Sequence, residues 1–592
     1  MMKSNKRLMS VLLAAVMASS AALAGCSGGT VNENSTAAPT ASEGAGKTGT
    51  EGVSIPEDGG FTSVSYTPST DKYRTFYEIF PYSFYDTDGD GVGDLKGITK
   101  KLDYLNDGDS STTTDLGVEG IWLMPIMPSP SYHKYNITDY KDIDPAYGTM
   151  DDFKELVDEA HKRNINVIID LVLNHTSREH EWYKKAVEEL KAGKTDGYAQ
   201  YYHFAKEAKN SKWGAVPGTD YYYECEFDAD MPDLNLTNEK VREEIRDIVK
   251  FWIDAGVDGF RLDAVMWFEE SGDEGSIEDL KWLYDYAKSV KDDVYMVGEC
   301  WTDFAIASKY YQSGVDSFFN FDEQGATGDI ANAVHKKDAA GYIESVIYYQ
   351  NKIEEYNPTG INTPFISNHD TGRSAGFLLT ETERRMAAAL YIIAPGNPFI
   401  YYGEEIGMTG SENDPAKRMG MYWSADDTTG YVAKIPGSKN KDLPDAAVDK
   451  QLADEDSLLN FYKKVIRLKS QNPEIARGDI TAVDLGTDAT SGFVSDDNGS
   501  KVMVIYNTDG KAATVTVPED QFKINEVRGY VIADAGDAAG SSGSGTNALD
   551  ALLGGKTDES STEESTEATD GGSFSLNGQE LTMPAYSVIV LK

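Results

Sequence analysis

Cysteine is nearly absent from this chain. Its 592 residues include three cysteines, Cys26, Cys225 and Cys300, too few for the disulfide framework of a small secreted domain. Basic residues are also scarce, because 54 Lys and Arg stand against 98 Asp and Glu, giving a net charge of -44. This charge repels phosphate backbones and anionic head groups, so we expect no nucleic acid partner.

The first 25 residues have the pattern of a secretion signal. Two lysines and an arginine precede an apolar stretch at 8–23, and Leu-Ala-Gly-Cys then ends at Cys26. This box resembles that of bacterial lipoproteins, in which the cysteine becomes the lipid-bearing first residue. An ordinary secretion signal with an incidental cysteine is the alternative. We therefore predict a signal peptide over 1–25, a lipid anchor on Cys26 and a location on the extracellular face of the cell membrane.

Two segments lack the apolar residues needed for a core. Residues 26–70 are rich in Ser, Thr, Gly, Ala and Glu and predict a flexible tether between membrane and folded body. Residues 534–573 have a similar composition but interrupt a β-rich region. We predict a disordered insertion there rather than a domain boundary.

Between residues 71 and 475, short apolar strands alternate with amphipathic helices. The predicted strands are 75–80, 120–125, 166–173, 259–263, 295–299, 317–321, 364–370 and 399–405. Continuous apolar runs separated by helices indicate parallel strands buried on both faces. Eight such units predict an α/β fold, a (β/α)8 TIM barrel. An open doubly wound sheet is the alternative, although no Gly-rich nucleotide turn follows the first strand.

One further unit interrupts this pattern and another follows it. Segment 176–236 follows the third predicted strand and is too long for a simple connection, so it predicts an inserted subdomain over the barrel mouth. Past residue 476 the helices give way to β patterning at 501–507, 513–518, 530–534 and 586–592. We predict a C-terminal all-β sandwich domain over 476–592.

Polar residues collect where the predicted barrel strands end, the edge at which TIM barrels carry their active sites. They are Asp170 with Asn174 and His175, Arg261 with Asp263, Glu299, and Asn368 with His369 and Asp370. A carboxylate nucleophile, a carboxylic acid and neighbouring charges suit glycosidic bond cleavage through an oxocarbenium-like transition state. Arg261 shares a strand face with Asp263 and would keep it ionised, whereas Glu299 must hold a proton near neutral pH.

The sequence resembles the α-amylase family of glycoside hydrolases (family 13). The segments DLVLNH (170–175), GFRLDAV (259–265), VGEC (297–300) and FISNHD (365–370) look like the family's four signature regions in order. The resemblance implies that Asp263 is the nucleophile, Glu299 the general acid/base and Asp370 the transition-state stabiliser. It further implies a sugar-binding set at the cleavage point, namely Arg261, His175 and His369, with Tyr135 stacking on the sugar and His133 nearby.

A fifth motif and one departure refine the resemblance. MPDLN (231–235) resembles the family's intermediate group, between oligo-1,6-glucosidases and neopullulanases. Many α-amylases have Lys-His where this chain has Met266 and Trp267. The change removes a charged contact and makes Trp267 a candidate aromatic surface for the sugar on the leaving side.

An acidic loop, DTDGDGVGDLKGI (86–98), predicts a calcium site. An EF-hand needs a bidentate Glu at position twelve of the loop, but Gly97 stands there. The loop resembles the calcium loop of this amylase branch. The predicted ligands of a structural Ca²⁺ are Asp86, Asp88, Asp90, the carbonyl of Val92, and Asp94. A solvated acidic turn is the alternative, and a second calcium site at Asn174 stays open.

We therefore expect a membrane-tethered extracellular α-amylase that cleaves internal α-1,4 bonds of starch and maltooligosaccharides with retention. A cyclomaltodextrin- or pullulan-degrading hydrolase, or a transglycosylase, is the first alternative. The alternative of another class is a non-catalytic sugar-binding lipoprotein on the same barrel.

Overall fold

The computed structural model describes residues 53–61, 66–269, 272–439, 443–444, 446–536 and 573–592. The predicted signal peptide, Cys26 and nearly all of the predicted insertion at 534–573 lie outside these residues. Within the described part of the chain, no helix is both long and apolar enough to cross a membrane.

Nineteen strands occur in the described residues. In chain order they are β1 (Phe76–Ile79), β2 (Gly120–Leu123), β3 (Asn166–Leu171), β4 (Phe204–Ala205), β5 (Trp213–Ala215), β6 (Tyr222–Glu224), β7 (Gly259–Leu262), β8 (Tyr295–Gly298), β9 (Ser317–Phe319), β10 (Ile361–Thr363), β11 (Phe399–Tyr401), β12 (Asp479–Val483), β13 (Thr490–Asp497), β14 (Ser500–Asn507), β15 (Ala513–Thr516), β16 (Val527–Ile532), β17 (Ser575–Asn577), β18 (Glu580–Met583) and β19 (Ser587–Leu591).

The described α-helices are α1 (Pro81–Phe84), α2 (Leu95–Lys100), α3 (Leu102–Leu105), α4 (Met150–Lys162), α5 (Glu181–Lys191), α6 (Glu239–Asp254), α7 (Asp273–Val290), α8 (Phe304–Ala307), α9 (Asp329–Lys336), α10 (Ala339–Tyr356), α11 (Glu381–Ile392), α12 (Asp414–Lys417), α13 (Val448–Leu452), α14 (Leu458–Ser470) and α15 (Glu474–Arg477).

The prediction of an eight-stranded parallel barrel is confirmed. The strands form one parallel sheet in the order β10-β9-β8-β7-β3-β2-β1-β11. Its interior is filled with large apolar side chains, among them Phe76, Trp122, Tyr295, Phe319 and Phe399. The barrel is therefore a packed core, and the space for a ligand lies at its rim.

Helix α6 shows how the sequence pattern produces the outer layer. The Asn238 side chain accepts a hydrogen bond from the Lys240 N–H at 2.8 Å and caps the first turn. Val241, Ile245 and Trp252 lie on the buried face. The helix ends before Gly256, whose φ of +106° suits a residue without a Cβ.

The seventh barrel strand was predicted wrongly at 364–370. The strand is β10, which ends at Thr363, and the apolar residues of the predicted span continue beyond it as a buried loop. Pro364 has no N–H to donate to a ladder, so the pairing ends there. Asp370 therefore lies on a loop beyond the strand, not at its last residue.

The inserted subdomain and the C-terminal domain are both built on antiparallel sheets. β4, β5 and β6 form a small sheet in the insertion. At the C-terminus a five-stranded sheet, β12-β13-β14-β19-β16, faces a three-stranded sheet, β15-β18-β17. Met503 and Ile505 of β14 face the core between these sheets, whereas Val502 and Val504 belong to the barrel's core cluster. The larger sheet thus packs on both sides, and the C-terminal domain is joined to the barrel by a shared core.

The described end of the predicted tether is not free. Val53 and Ile55 pack against the C-terminal core, and the Tyr530 N–H donates to the Gly59 carbonyl at 2.8 Å. A Cβ on Gly59 would lie 2.6 Å from the Tyr530 carbonyl oxygen, so the glycine permits this close approach. Ser69 is buried and donates its N–H to Glu119. The flexible tether predicted over 26–70 is therefore wrong for 53–61 and 66–70.

Candidate active site

One arginine joins three carboxylates at the carboxyl end of the barrel. Arg261 Nη1 lies 2.9 and 3.1 Å from the two oxygens of Asp170 and 2.7 Å from Oδ1 of Asp263. Its Nη2 lies 3.0 Å from Oε2 of Glu299. All four residues are buried. β3, β7 and β8 are adjacent parallel strands, so the residues at their ends meet around a single guanidinium.

A backbone turn after Asp263 fixes the orientation of Glu299. Ala264 adopts the left-handed conformation with φ +51°, which is uncommon for a residue with a Cβ and points to a constrained site. The turn directs the Ala264 N–H at Glu299 Oε2, 3.0 Å away. This oxygen accepts from both Ala264 and Arg261, so the second oxygen, Oε1, is the one available to hold a proton.

Two carboxyl groups of this cluster have pKa values raised towards neutral pH. Burial, together with the charges of Asp263 and Asp370, raises the pKa of Glu299 to about 7 against the opposing effect of Arg261. Burial also raises the pKa of Asp170 to about 7, although Arg261 opposes the shift. Burial lowers the pKa of Arg261, but Asp170 and Glu299 outweigh it and hold that pKa well above the usual value.

A second charged group surrounds Asp370. His369 Nε2 lies 2.9 Å from Asp370 Oδ2, and Arg418 Nη2 lies 2.6 Å from Asp370 Oδ1. Burial acts to raise the pKa of Asp370, but His369 and Arg418 hold it well below its usual range. Asp370 is therefore ionised. On its other side, His369 Nδ1 lies 2.6 Å from Glu78 Oε1 on β1.

The loop after β2 connects the two groups. The Tyr135 hydroxyl lies 3.0 Å from Asp170 Oδ2 and 2.7 Å from His369 Nε2. The His133 and Tyr135 rings stack with centroids 5.9 Å apart. Lys134, between them, has φ +67° and binds Asp144 with Nζ 2.6 Å from Oδ2. This buried ion pair anchors the loop.

His175 and His133 are neutral hydrogen-bonding groups at neutral pH. Burial lowers the pKa of His175 below its usual value and lowers that of His133 to about 4. His175 is buried, and among the described residues its Nε2 has no hydrogen-bond partner. The neighbouring Asn174 donates to Asp233 Oδ1 at 3.1 Å, which ties the end of β3 to the MPDLN segment.

Exposed aromatic side chains flank this cluster. Trp267 is 45% exposed, and its ring lies edge-on to Phe227 with centroids 6.4 Å apart. Phe227 in turn contacts the His175 ring at 5.5 Å. Trp301, two residues after Glu299, is 47% exposed and stacks on Phe321. Flat apolar faces therefore stand around a charged, buried centre.

The acidic loop lies apart from the active-site cluster, before α2. Asp86, Asp88 and Asp94 offer oxygens that lie within 4.8 Å of one another. Asp90 is not in this group, and its Oδ1 accepts the Val92 N–H at 2.8 Å. Asp94 also caps α2 through the Gly97 N–H. Within the described residues no lysine or arginine pairs with the three grouped aspartates, so their charges suit a bound cation.

Of the predicted site residues, the structure places Asp263, Glu299, Asp370, Arg261, His369 and Tyr135 in one connected network, with His133 and His175 at its edge. Trp267 lies at the rim, where its ring contacts Phe227. Sequence reasoning assigned no role to Glu78 or Arg418. Glu78 could have been found from the sequence, because it is the charged residue of the otherwise apolar strand TFYEIF. Arg418 lies in a loop 48 residues after Asp370 and could not.

Residues 78–478 match a known family, described as "Alpha amylase, catalytic domain". Among curated proteins, "Alpha-amylase 3" of Dictyoglomus thermophilum is 38% identical over 446 residues, covering 74% of this chain and 85% of that protein. "Probable oligo-1,6-glucosidase 2" of Bacillus subtilis is 30% identical over 490 residues, covering 69% of this chain and 85% of its own length.

Solved structures agree with the sequence comparisons. "Eubacterium rectale Amy13B" superposes with a TM-score of 0.79 at 40% identity, over 92% of this chain and 99% of that chain. The α-amylase from H. orenii gives a TM-score of 0.72 at 35% identity, over 88% and 99% of the two chains. The barrel, the insertion and the C-terminal sheets are thus those of known proteins.

Proposed function

The chain belongs to the α-amylase family of glycoside hydrolases, and from this premise we propose that it cleaves internal α-1,4 bonds of starch and maltooligosaccharides with retention. The observation that carries the proposal is the binding of Asp263 and Glu299 by the two terminal nitrogens of one guanidinium. A retaining pair lies about 5–5.5 Å apart, whereas an inverting pair is separated by about 6.5–9.5 Å to admit a water. Side chains that share one guanidinium favour the smaller separation.

In the first step a carboxylate oxygen of Asp263 attacks the anomeric carbon. The bond from that carbon to the leaving sugar's oxygen breaks, and the proton on Glu299 Oε1 passes to this oxygen. Water then attacks the covalent intermediate, Glu299 takes the water's proton, and Asp263 is released. Asp370, ionised between His369 and Arg418, stabilises the positive charge that develops on the sugar ring.

Neutral groups of the site suit a neutral, hydroxylated substrate. The unpartnered His175 Nε2 and the Tyr135 ring offer a hydrogen bond and a stacking face to the sugar at the cleavage point. Trp267 offers a second face for a neighbouring sugar. A non-catalytic sugar-binding protein would not need a buried acid with a raised pKa beside Asp263 and the ionised Asp370, so we favour the enzyme.

The acidic loop is proposed as a structural Ca²⁺ site. Its proposed ligands are Asp86, Asp88 and Asp94, with Asp90 and the Val92 carbonyl from the sequence prediction. Asp86 and Asp94 are buried, and their hydrogen-bond donors among the described residues are backbone N–H groups and the Thr87 hydroxyl rather than a lysine or arginine, so a bound cation would compensate their charges. The ion would hold the loop after β1 and supplies no group to the reaction.

We also propose that the enzyme acts outside the cell, anchored by lipid on Cys26. The basic start, the apolar stretch and the Leu-Ala-Gly-Cys box support this location. A polymeric substrate such as starch cannot cross a membrane intact, which fits an enzyme held on the outer surface.

The test is a time course of products from amylopectin, cyclodextrin, pullulan and isomaltose, with the anomer formed first read by NMR. We expect mixed maltooligosaccharides from amylopectin and an α-anomer first. Rapid hydrolysis of isomaltose with little attack on amylopectin would instead favour an oligo-1,6-glucosidase, the activity named for the Bacillus subtilis relative.

Variants of one strand provide the control. Asp263→Asn, at the end of β7, should lose at least about a thousandfold in kcat, because the nucleophile is removed. Asp258→Asn, at the start of β7, changes another buried aspartate, which binds His161. It should leave kcat within about threefold of the parent. Starch degradation by Asp263→Asn at the parent rate would refute the assignment.

A further inference from the structure

His369 is enclosed by acceptors on both ring nitrogens. It is fully buried, with Glu78 Oε1 2.6 Å from Nδ1 and Asp370 Oδ2 2.9 Å from Nε2. Carboxylates within 2.9 Å of both ring nitrogens favour the form of the ring in which both nitrogens carry hydrogen. The ring therefore sits in the geometry of an imidazolium cation that bridges two anions.

The direction in which the Tyr135 hydroxyl donates its hydrogen depends on whether His369 Nε2 is protonated. It lies 2.7 Å from His369 Nε2 and 3.0 Å from Asp170 Oδ2. While Nε2 carries hydrogen, the hydroxyl must direct its own proton to Asp170. If Nε2 lost its hydrogen, it would accept the Tyr135 proton instead, and Asp370 would lose the positive charge beside it.

Other charged groups face this ring from neighbouring elements. Arg418 donates from Nε to the His369 carbonyl at 3.0 Å and also binds Asp370. Asp170 and Arg261 lie behind Tyr135 and form their own ion pair. Tyr401 on β11 is buried and lies close enough to Glu78 for that charge to raise its pKa. Of the carboxylates in the described part of the chain, only Glu78 and Asp370 pair with the ring nitrogens, so the two flanking anions dominate.

The charges agree with this geometry. Burial lowers the pKa of His369, but Asp370 and Glu78 outweigh the burial and raise it to about 9. Asp370 is fixed as an anion by its own partners. Glu78 is therefore the partner whose charge decides whether the ring stays protonated through neutral pH.

We propose that Glu78 is a positioning residue whose carboxylate keeps His369 doubly protonated, so that the ring holds Asp370 in place and leaves the Tyr135 hydroxyl bonded to Asp170. The role given to Asp370 rests on the proposed function. The protonation of His369 does not, because it can be read without substrate.

The direct test is the titration of His369 by ¹⁵N NMR of histidine-labelled full-length protein, which contains seven histidines. A His369→Gln sample assigns the signal. In the parent we expect His369 to stay protonated at both nitrogens to above pH 8. In Glu78→Gln, which keeps an acceptor but removes the charge, the midpoint should fall by about 1–3 pH units.

The second test is the pH profile of kcat/KM on a neutral maltooligosaccharide. In the parent, log(kcat/KM) above neutral pH should fall with a slope of -1 against pH, because Glu299 loses its proton. In Glu78→Gln, His369 should lose its proton over the same pH range as Glu299, so the slope should approach -2. Glu78→Asp keeps the charge and should restore a slope of -1.

Glu405→Gln is the matched control. Glu405 is also fully buried, and it accepts from Tyr77, the neighbour of Glu78, at 2.6 Å. This variant removes a buried charge without touching the His369 ring, so it should change neither the His369 midpoint nor the slope.

Three outcomes would overturn the proposal. The first is a parent His369 that is neutral at pH 7, a result that needs no variant to fold. The second is an unchanged His369 midpoint in Glu78→Gln, and the third is a Glu405→Gln variant that moves the midpoint as far as Glu78→Gln does. If the parent did not hydrolyse starch but its His369 titrated as expected, only the proposed function would be refuted.

Discussion

Replacement of Glu323 by glutamine should make the protein more stable at alkaline pH. Glu323 follows β9 and is fully buried. Its Oε1 accepts from Asn320 at 2.9 Å and Asn362 at 3.0 Å, and its Oε2 lies 3.5 Å from the Tyr342 hydroxyl. Glutamine can keep this arrangement, because its oxygen accepts from both asparagines while its amide faces the hydroxyl.

The magnitude follows from the proton that Glu323 retains. Burial raises its pKa from 4.5 to about 8, against the hydrogen bond from Asn362. The folded state therefore binds a proton that the unfolded state releases, and stability falls as pH rises from 4.5 to about 8. At about 1.36 kcal/mol per unit of pKa shift, the loss is about 5 kcal/mol. Glutamine cannot ionise, so the variant escapes this loss.

The assay is thermal unfolding at a fixed scan rate at pH 5, 7 and 9, because a protein of this size can unfold irreversibly. With an unfolding entropy of about 2.1 cal/mol/K per residue over roughly 500 residues, the advantage at pH 9 is about 5 °C in Tm. At pH 5 it should nearly vanish. Glu344→Gln, the same change at an exposed position of α10, should move Tm little at any pH. A Glu323→Gln advantage that is equal at pH 5 and pH 9, or absent at pH 9, would refute the reasoning.

Two further predictions concern the acidic loop and the lipid anchor. Chelation with EDTA should lower the Tm of the parent, since an ion present at 100 times its Kd contributes about 2.7 kcal/mol to stability. Asp88→Asn should weaken this response, whereas the control Asp109→Asn, in another exposed loop, should not. An unchanged Tm of the parent after chelation would remove the Ca²⁺ assignment. A palmitate analogue fed to producing cells should label the parent and not Cys26→Ser, and a soluble, unlabelled parent would contradict the anchor.

The barrel was predictable because its strands carry a local signal. Runs such as NVIIDL are apolar at successive positions, which is typical of a strand buried on both faces. FISNHD has two apolar residues followed by four polar ones and comes after Pro364, and it packs as a buried loop because tertiary contacts can hide apolar residues without a ladder. Composition likewise predicted no structure for 53–61, where two glycines and two aliphatic residues suffice to hold the segment on the C-terminal sheet.

Asp263 and Glu299 were predictable for the same reason, since each follows a strand whose end was recognised, whereas Asp370 was identified from the resemblance of FISNHD to a family signature region. Their partners were not. Glu78 and His369 are 291 positions apart in sequence, and Arg418 reaches Asp370 from a loop beyond the last barrel strand. The left-handed turn at Ala264 also has no sequence signal, because alanine has no preference for positive φ. These contacts depend on barrel closure, which brings β1 beside β11, and local patterns do not encode it.

The charge balance of the site explains how its acids divide their roles. Five buried or partly buried carboxyl groups, Glu78, Asp170, Asp263, Glu299 and Asp370, share three cations, Arg261, His369 and Arg418. Three cations cannot compensate five anions in a site of low polarity, so protons must remain on some of the carboxyl groups. Asp370 contacts two cations, Arg418 and the His369 ring that it shares with Glu78, and is ionised. Asp170 and Glu299 must share Arg261 with Asp263, and they are the two whose pKa values rise to about 7. The proton available to a leaving sugar is therefore on Glu299 because of how the cations are placed, and any variant that adds a cation beside Glu299 should lower the pH at which activity is lost.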